Sequence, residues 1–197
     1  MMVTKSRELY RDRLRRSILD AAREEFAAHG YEGVSMRALA AKIGCTHGAL
    51  YGHFANKEEL FDRLVEESFE RLADVLRGLR KPGRTTDPVR LLKKAGRAYV
   101  AFALENPAAY EFAFVMRRPA ARPARPHLAY TYLRDLVQRC IDEKRFRRMS
   151  PDTASQAIWA AAHGVACLLI FRPSFPWRDL DALIARVIDS AVDGLVG

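Results

Sequence analysis

The stretch that decides the fold is ILDAAREEFAAHGYEGVSMRALAAKIGCTHGALYGHFANKEEL, residues 18–60 of a 197-residue chain. Apolar residues recur every three or four positions in its first part, which predicts a helix over about residues 8–29 that a His-Gly pair ends. Ser35 and Thr46 stand where a hydroxyl group caps a second and a third short helix. Gly44 lies between these two helices and permits a turn that a side chain would strain. The stretch therefore predicts a three-helix unit whose last two helices form a helix-turn-helix.

Helical signals continue through the rest of the chain. Asn56 and Glu59 form a capping-box-like start for a long fourth helix that reaches about residue 79. Three later helices begin with a capping residue followed by proline, at Asp87-Pro88, Asn106-Pro107 and Ser150-Pro151. Proline-rich breaks at 118–126 and 173–176 precede two more helices, over about residues 127–146 and from about residue 180. Nothing alternates with period two for long enough to be a strand, so we expect an all-α fold of nine helices.

Basic residues outnumber acidic residues along the chain. The 33 Lys and Arg against 24 Asp and Glu give a formal net charge of +9, which favours a polyanionic partner or an anionic surface. Residues 1–56 hold nine Lys and Arg against six Asp and Glu, a net charge of +3. The sharpest concentration is the segment from Lys5 to Arg16, with six basic and two acidic residues. This segment either follows DNA phosphates or is a solvated helix start, and the sequence leaves both interpretations open.

The sequence shows no pattern typical of catalysis, of a metal site or of a membrane span. Cys45, Cys140 and Cys167 are an odd number of cysteines at unrelated spacings, which fits a reducing cytoplasm. The longest apolar run, residues 157–171, is shorter than the roughly 20 residues of a spanning helix, so we expect no membrane span and no signal peptide. No nucleophile elbow or phosphate-binding glycine loop stands in the sequence. We therefore expect a cytoplasmic protein that is not an enzyme and has no cofactor.

The third helix carries a small and polar outer face that suits DNA. Small residues let a helix backbone approach base edges in the major groove, and hydroxyl and imidazole groups donate to acceptors there. The residues on this face are Thr46, His47, Gly48, Ala49, Tyr51 and His53. Tyr51, His53 and Lys57 are placed to reach phosphate oxygens. The helical periodicity of apolar residues alone is equally consistent with any helical hairpin that has a polar outer face.

Particular residues favour a DNA-binding module over a helical hairpin of another kind. The first helix contains Ala21-Ala22 and Phe26, followed by Gly30-Tyr31. The second helix begins with Ser35-x-Arg37-x-Leu39-Ala40, and the turn and third helix read Gly44-x-x-x-Gly48-x-Leu50-Tyr51-x-His53-Phe54-x-x-Lys57. With these ordered positions, residues 18–60 resemble the DNA-binding module of the tetracycline-repressor (TetR/AcrR) family of transcriptional regulators. Cys45-Thr46 departs from the Val-Ser pair that is most common in that family, but threonine keeps the capping hydroxyl.

The resemblance implies an all-helical homodimer that binds a palindromic operator in double-stranded DNA. Residues 1–56 would be the helix-turn-helix domain and residues 57–197 the regulatory and dimerisation domain, connected by the helix over residues 57–79. A basic Pro-Gly breaker at 80–84 is the clearest candidate boundary between subdomains. In the family the third helix reads bases, and residues matching Tyr51, His53 and Lys57 hold the phosphate backbone. Arg37 would lie near the start of the second helix, among the DNA-binding residues.

The later helices contain aromatic residues that could line a ligand pocket or pack in the protein core. The candidates for a pocket are Tyr99, Phe102, Tyr110, Phe114, Trp159 and His163. Asn106-Pro107 and Trp159-x-x-x-His163-Gly164 resemble a TetR subgroup whose regulatory domain is marked by a Trp, a His and a Gly. His163 is either a structural residue, bonded to Tyr99, Tyr110 or a backbone carbonyl, or a ligand contact. A metal ligand is disfavoured, because no second ligand stands at metal spacing on that helix.

The last two helices would form a four-helix interface across a two-fold axis, as the resemblance implies. A helix as apolar as residues 157–171 must be buried on nearly all sides, and its small residues let another backbone approach closely. The interface candidates are Ala157, Ala161, Gly164, Leu168, Leu183, Val187 and Ile188.

The sequence thus predicts a DNA-binding transcriptional regulator, in the first instance a repressor that a small-molecule ligand releases from DNA. Such a ligand needs only about 2.7 kcal/mol of preference between two states to change occupancy by two orders of magnitude. The alternative is a DNA-binding dimer without a small-molecule effector, regulated by a protein partner.

Overall fold

A computed structural model describes residues 2–80, 87–116 and 128–197 of the chain. Over these ranges the chain forms nine helices and, apart from one isolated bridge, no β-structure, which confirms the predicted all-α fold. The helices are α1 (Met2–Gly33), α2 (Met36–Lys42), α3 (His47–Tyr51), α4 (Lys57–Gly78), α5 (Pro88–Glu105), α6 (Pro107–Phe114), α7 (Leu128–Asp142), α8 (Pro151–Phe171) and α9 (Leu180–Asp193). The predicted loop at 118–126 and most of the breaker at 80–84 lie outside the described residues.

Helices α2 and α3 begin after the capping residues that the sequence indicated, whereas α1 begins at Met2 instead of about residue 8. Gly30 leaves helical geometry with φ of 69°, so the predicted stop interrupts α1 there. Ser35 Oγ and Thr46 Oγ1 each accept a hydrogen bond from the backbone N–H three residues later, at 3.2 and 3.1 Å. Gly44, in the turn between α2 and α3, has φ of 68°, a conformation that favours glycine. These features confirm the predicted helix-turn-helix.

Side-chain caps also begin the longer helices. Asn56 Oδ1 accepts from the Glu59 N–H at 2.7 Å, and Glu59 Oε2 accepts from the Ala55 N–H at 2.7 Å. This reciprocal pair is a capping box that leads into α4. Asp87 and Ser150 cap α5 and α8, each of which begins with proline. The predicted starts of these helices are confirmed.

The seventh helix is shorter than the sequence suggested. It ends at Asp142 instead of continuing to about residue 146. Lys144 takes a left-handed conformation with φ of 54°, which interrupts the helix. Phe146 then forms an antiparallel bridge with Val196. A pairing partner 50 residues further along the chain therefore overrides the local helical signal.

The described residues divide into two compact units. Residues 2–68 and 108–116 form the first unit, and residues 69–107 and 128–197 form the second. The domain boundary predicted between residues 56 and 57 stays a prediction, but the division into compact units falls within α4, between Ser68 and Phe69. The reason is that Leu60, Phe61 and Leu64 of α4 belong to the same buried cluster as Ile18 and Phe26 of α1.

The core of the first unit is built on three aromatic rings. Phe26 and Tyr31 lie stacked with their centroids 5.9 Å apart, and Phe61 packs edge-on against both at 5.2 Å. At the surface of this unit, Lys42 Nζ bridges Glu24 at 3.0 Å and Glu25 at 2.9 Å. The bridge joins α2 to α1, and Lys42 holds the pKa of Glu25 below its usual value.

In the second unit α5, α7, α8 and α9 pack on one another. Gly96 of α5 lies so close to Ile188 of α9 that a Cβ at position 96 would come within 2.8 Å of the isoleucine side chain. The 21 residues of α8 make it, among the described helices, the one long and apolar enough to cross a membrane. Within this unit α8 packs against α5, α7 and α9, and 39% of its most apolar 18-residue window is buried.

Candidate nucleic-acid interface and effector site

The short helix α3 presents the predicted DNA-reading face to solvent. Leu50 is fully buried and anchors the helix on the core of the first unit. Thr46, His47 and Gly48 are exposed, and a Cβ at position 48 would meet no atom within 4 Å. Tyr51 is 42% exposed and lies edge-on to the His47 ring, with centroids 4.7 Å apart. Ala49 is half-buried beside them, so this face remains open to a partner surface.

Two arginines of α1 lie close enough to affect His53. Burial lowers the pKa of His53, and the positive charges of Arg11 and Arg15 lower it further, against a smaller opposite effect of Asp12. The Arg15 guanidinium also stacks over the Phe54 ring, with Cζ 4.6 Å from the centroid. The basic segment that the sequence singled out is therefore part of helix α1, and it adds positive charge next to the end of α3.

Lys57 has an internal role that sequence reasoning missed. Its ammonium donates hydrogen bonds to the backbone carbonyls of Tyr31 at 3.0 Å and Val34 at 3.1 Å. The same group lies 4.4 Å from the centroid of the Tyr31 ring, and the Tyr31 hydroxyl donates to Glu58 at 2.9 Å. These hydrogen bonds thus connect the first turn of α4 to the turn between α1 and α2. Of the three ammonium hydrogens, at most one remains for the predicted phosphate contact.

Arg37, the remaining predicted DNA-binding residue, is exposed on the first turn of α2. Its position follows directly from the Ser35 cap, which sets where α2 begins. Arg37 and the outer face of α3 belong to the same compact unit.

Three of the six pocket candidates form a hydrogen-bonded chain in the second unit. The Trp159 indole N–H donates to the Tyr99 hydroxyl oxygen at 3.3 Å, and that oxygen lies 3.1 Å from His163 Nδ1. His163 Nε2 lies 3.5 Å from Cys167 Sγ, a contact that the sequence signalled only by the four-residue spacing. Burial lowers the pKa of His163. Among the partners considered for His163, the structure therefore supports Tyr99.

The other three candidates have different surroundings. Phe102 is buried in the second unit, with the Arg71 guanidinium 5.9 Å from its ring centroid. Tyr110 is 1% exposed and packs against Phe114 at 4.9 Å, and both belong to the first unit. Whether any of the six contacts a ligand stays a prediction.

The residues predicted for the dimer interface differ in their exposure, and the interface itself stays a prediction. Ala157, Gly164 and Leu168 are exposed on α8, and Ala161 is half-buried between them. Leu183 and Val187 of α9 are half-buried. We remove Ile188 from the interface, because its side chain is fully buried within the subunit against Gly96.

The three thiols differ in their surroundings. All are free, and Cys140 is fully buried. Burial is the main cause that raises the pKa of Cys140 to about 12. Cys45 and Cys167 are half-buried, and Cys45 packs against the core of the first unit. Within the described ranges, no three His, Cys, Asp or Glu side chains come together as metal ligands would.

Comparisons with known proteins cover most of the chain. A family model described as bacterial regulatory proteins, tetR family, matches residues 18–64. A second model, described as the C-terminal domain of tetracyclin repressor-like proteins, matches residues 92–191. Together the two matches include α3 of the first unit and the Trp159–His163 chain of the second.

Curated relatives share a shorter stretch. The HTH-type transcriptional repressor AcnR of Corynebacterium diphtheriae is 45% identical over 62 residues, 32% of this chain and 33% of that protein. The HTH-type transcriptional regulator UidR of Escherichia coli K12 is 39% identical over 57 residues, 29% of each chain. The chain therefore matches about a third of the length of these relatives.

Solved structures share the fold over nearly the full length. A protein from Shewanella sp. PV-4 is similar with a TM-score of 0.77 and 16% identity, over 93% of this chain and 98% of that one. The TetR family transcriptional regulator PfmR from Thermus thermophilus is similar with a TM-score of 0.64 and 22% identity, over 91% and 99% of the two chains. At these identities the likeness concerns the fold.

Proposed function

Because the chain belongs to the TetR family of bacterial regulatory proteins, we propose that it is a dimeric, sequence-specific DNA-binding transcriptional regulator. The observation that carries the proposal is the exposed face of α3, a capped helix that Leu50 anchors within a helix-turn-helix. A short helix of small and polar residues can enter the major groove, while the helix before it crosses the phosphate backbone.

The residues divide into those that read bases and those that hold phosphates. Thr46 caps α3, and His47, Gly48 and Ala49 form its first turn, the part of a recognition helix that contacts base edges. Tyr51 ends α3, and His53 follows it at a place where Arg11 and Arg15 of α1 add positive charge. Phosphate contacts position a protein on DNA, and base contacts give it specificity. Arg37 and the one remaining N–H of Lys57 would add phosphate contacts at the flanks of the same face.

A dimer is supported by the stripe on α8. In a single subunit Leu168 is 51% exposed and Phe171 is 42% exposed, which is costly for large apolar side chains unless another surface covers them. Gly164 lies in the same stripe, and a Cβ there would meet nothing within 4 Å, so a second backbone can approach. An interface on a two-fold axis pairs each α8 and α9 with the copies of the partner subunit. A dimer of this kind reads a palindromic operator.

Repression, with release by a small molecule, is the regulatory mode that we propose. AcnR, whose matching segment is 45% identical, is named a transcriptional repressor. The aromatic and polar side chains around Trp159 and His163 offer stacking and hydrogen-bonding groups in the second unit. A regulator of this class acts on chromosomal DNA in the cytoplasm, needs no cofactor and is not an enzyme.

A pair of histidine variants tests the DNA-reading role. His47 is exposed at the start of α3, and His29 is exposed on α1, where it pairs with Glu25. With a duplex selected from a random pool, we expect H47A to weaken binding by about 1–3 kcal/mol or to change the base preference at one or two positions. H29A should leave affinity and preference unchanged. Equal binding by both variants would remove α3 from the reading face.

A further inference from the structure

The contact between Cys167 and His163 goes beyond what a repressor fold requires. Cys167 Sγ lies 3.5 Å from His163 Nε2, and the opposite ring nitrogen lies 3.1 Å from the Tyr99 hydroxyl. A nucleophile beside a base that a third group holds in place is the arrangement by which proteins activate weak nucleophiles. We propose that Cys167 covalently binds small α,β-unsaturated carbonyl compounds, with His163 accepting the thiol proton and Tyr99 positioning the imidazole.

The proposal requires one tautomer of the histidine, with the ring proton on Nδ1. The Tyr99 oxygen accepts from Trp159 Nε1 at 3.3 Å and lies 3.1 Å from His163 Nδ1, so in this tautomer its second lone pair accepts the Nδ1 proton. With the proton on Nδ1, the lone pair of Nε2 faces Cys167 Sγ and can take the thiol proton. Burial keeps the pKa of His163 low, so the imidazole is neutral and able to act as a base near pH 7.

The reaction balances without an oxidant or a leaving group. Nε2 of His163 removes the proton of the Cys167 thiol as the sulfur attacks the β-carbon of the conjugated carbonyl compound. A C–S bond forms, and the π electrons move onto the carbonyl oxygen as an enolate. The imidazolium then returns its proton to the α-carbon, so the product is a thioether and His163 is neutral again. The only net change is addition of the S–H bond across the C=C bond.

The surroundings favour a neutral, planar reaction partner. The Trp159 ring lies 6.1 Å from the His163 ring and 5.9 Å from the Tyr130 ring, measured between centroids. These rings offer flat apolar surfaces on which a conjugated carbonyl compound can stack. The Cys167 thiol is half-buried and the imidazole beside it is neutral. A neutral ligand therefore does not have to displace water from a charged group when it enters this site.

The position of Cys167 connects the adduct to regulation, and this step rests on the proposed function. Cys167 follows Gly164 by one helical turn and directly precedes Leu168, both in the exposed stripe of α8. Residues three and four apart on a helix are neighbours on its surface. A thioether at Cys167 therefore adds volume at the edge of the proposed dimer interface, which would change how the two subunits pair.

The other cysteines make the test internally controlled. Cys140 is fully buried with a pKa raised to about 12, and Cys45 is half-buried with no hydrogen bond or ion pair to a described side chain. The folded full-length protein is treated with a limited amount of methyl vinyl ketone near pH 7, and peptide mass spectrometry follows the adduct at each cysteine over time. General-base assistance contributes about 10²-fold in favourable cases, so we expect Cys167 to react at least about tenfold faster than Cys45.

Two variants separate activation from exposure. H163Q removes the base, and Y99F removes the group that fixes its tautomer while keeping the ring that fills the core. Each should slow the reaction of Cys167 about tenfold and leave Cys45 unchanged, with circular dichroism confirming that the variants fold. Y99F keeps the test decisive if H163Q does not fold. Reaction of Cys167 no faster than Cys45, or at the same rate in Y99F, would overturn the proposal.

DNA binding is measured separately on the same samples. Release of a selected duplex by the modified wild-type protein, but not by treated C167S, would support the adduct as a regulatory signal. An adduct that leaves DNA binding intact would refute the regulatory step and leave DNA binding standing. Failure of the untreated protein to select any duplex would instead refute the proposed function, while the chemistry at Cys167 would still be judged by mass spectrometry.

Discussion

Replacing Lys57 with methionine tests whether α4 is fastened to the helix-turn-helix as the structure indicates. Methionine keeps most of the side-chain volume but removes the ammonium that donates to the Tyr31 and Val34 carbonyls at 3.0 and 3.1 Å. Hydrogen bonds from a charged donor contribute about 1.5–3 kcal/mol each, and the lower value suits this half-buried group. The contact with the Tyr31 ring adds about 0.5–1 kcal/mol. We expect K57M to lower the free energy of unfolding by about 3.5–4 kcal/mol.

Lys42 provides the matched control, because it is a lysine of the same unit that makes ion pairs at the surface. Its side chain is 41% exposed, and it contacts Glu24 and Glu25. Exposed ion pairs contribute little to stability, so K42M should lower the free energy of unfolding much less than K57M does. Urea unfolding followed by circular dichroism, at one protein concentration, measures both variants. A loss for K57M no larger than that for K42M would refute the fastening role.

Three other predictions concern DNA binding, capping and assembly. Burial and two arginines hold the pKa of His53 below 6.5 in the protein without DNA. A DNA phosphate next to His53 favours the charged imidazole, so we expect His53 to take up a proton when DNA binds. Affinity should therefore rise as pH falls below about 7, and fluorescence anisotropy should show a flatter pH profile for H53Q. T46A and S35A each remove one helix cap and should each lower the free energy of unfolding in urea by about 1 kcal/mol. Only T46A should also weaken operator binding. An equal loss of affinity in both variants would contradict the assignment of Thr46 to the DNA-reading face. L168E should give monomers in sedimentation experiments, whereas L104E, a substitution on the exposed surface of α5, should not. A dimeric L168E would exclude the α8 stripe from the interface.

Much of the fold could be predicted because its signals are local. The hydroxyl of Ser35 or Thr46 and the backbone group it caps are three residues apart, so the sequence alone shows both partners. The same holds for the Asn56–Glu59 capping box and for the helix stop at Gly30. Where a distant residue intervened, prediction was wrong: α7 ends early because Phe146 pairs with Val196.

The candidate sites depend more on contacts between distant residues. The small and polar face of α3 was visible in the sequence, because all its members lie within one short helix. The internal role of Lys57 was not, since its acceptors are the carbonyls of Tyr31 and Val34, 26 and 23 residues earlier. Ile188 was assigned to the dimer interface because helical periodicity shows an apolar face without showing which neighbour covers it.

Selection of duplexes from a random DNA pool at about physiological salt tests the central claim most directly, because specific and nonspecific binding separate under those conditions. The account predicts recovery of a palindrome whose half-sites are about 10 base pairs apart, or a multiple of that distance, centre to centre. Recovery of no common sequence, from a protein that still binds DNA at low salt, would contradict it. Binding would then depend only on the net charge of +9, and α3 would not read bases.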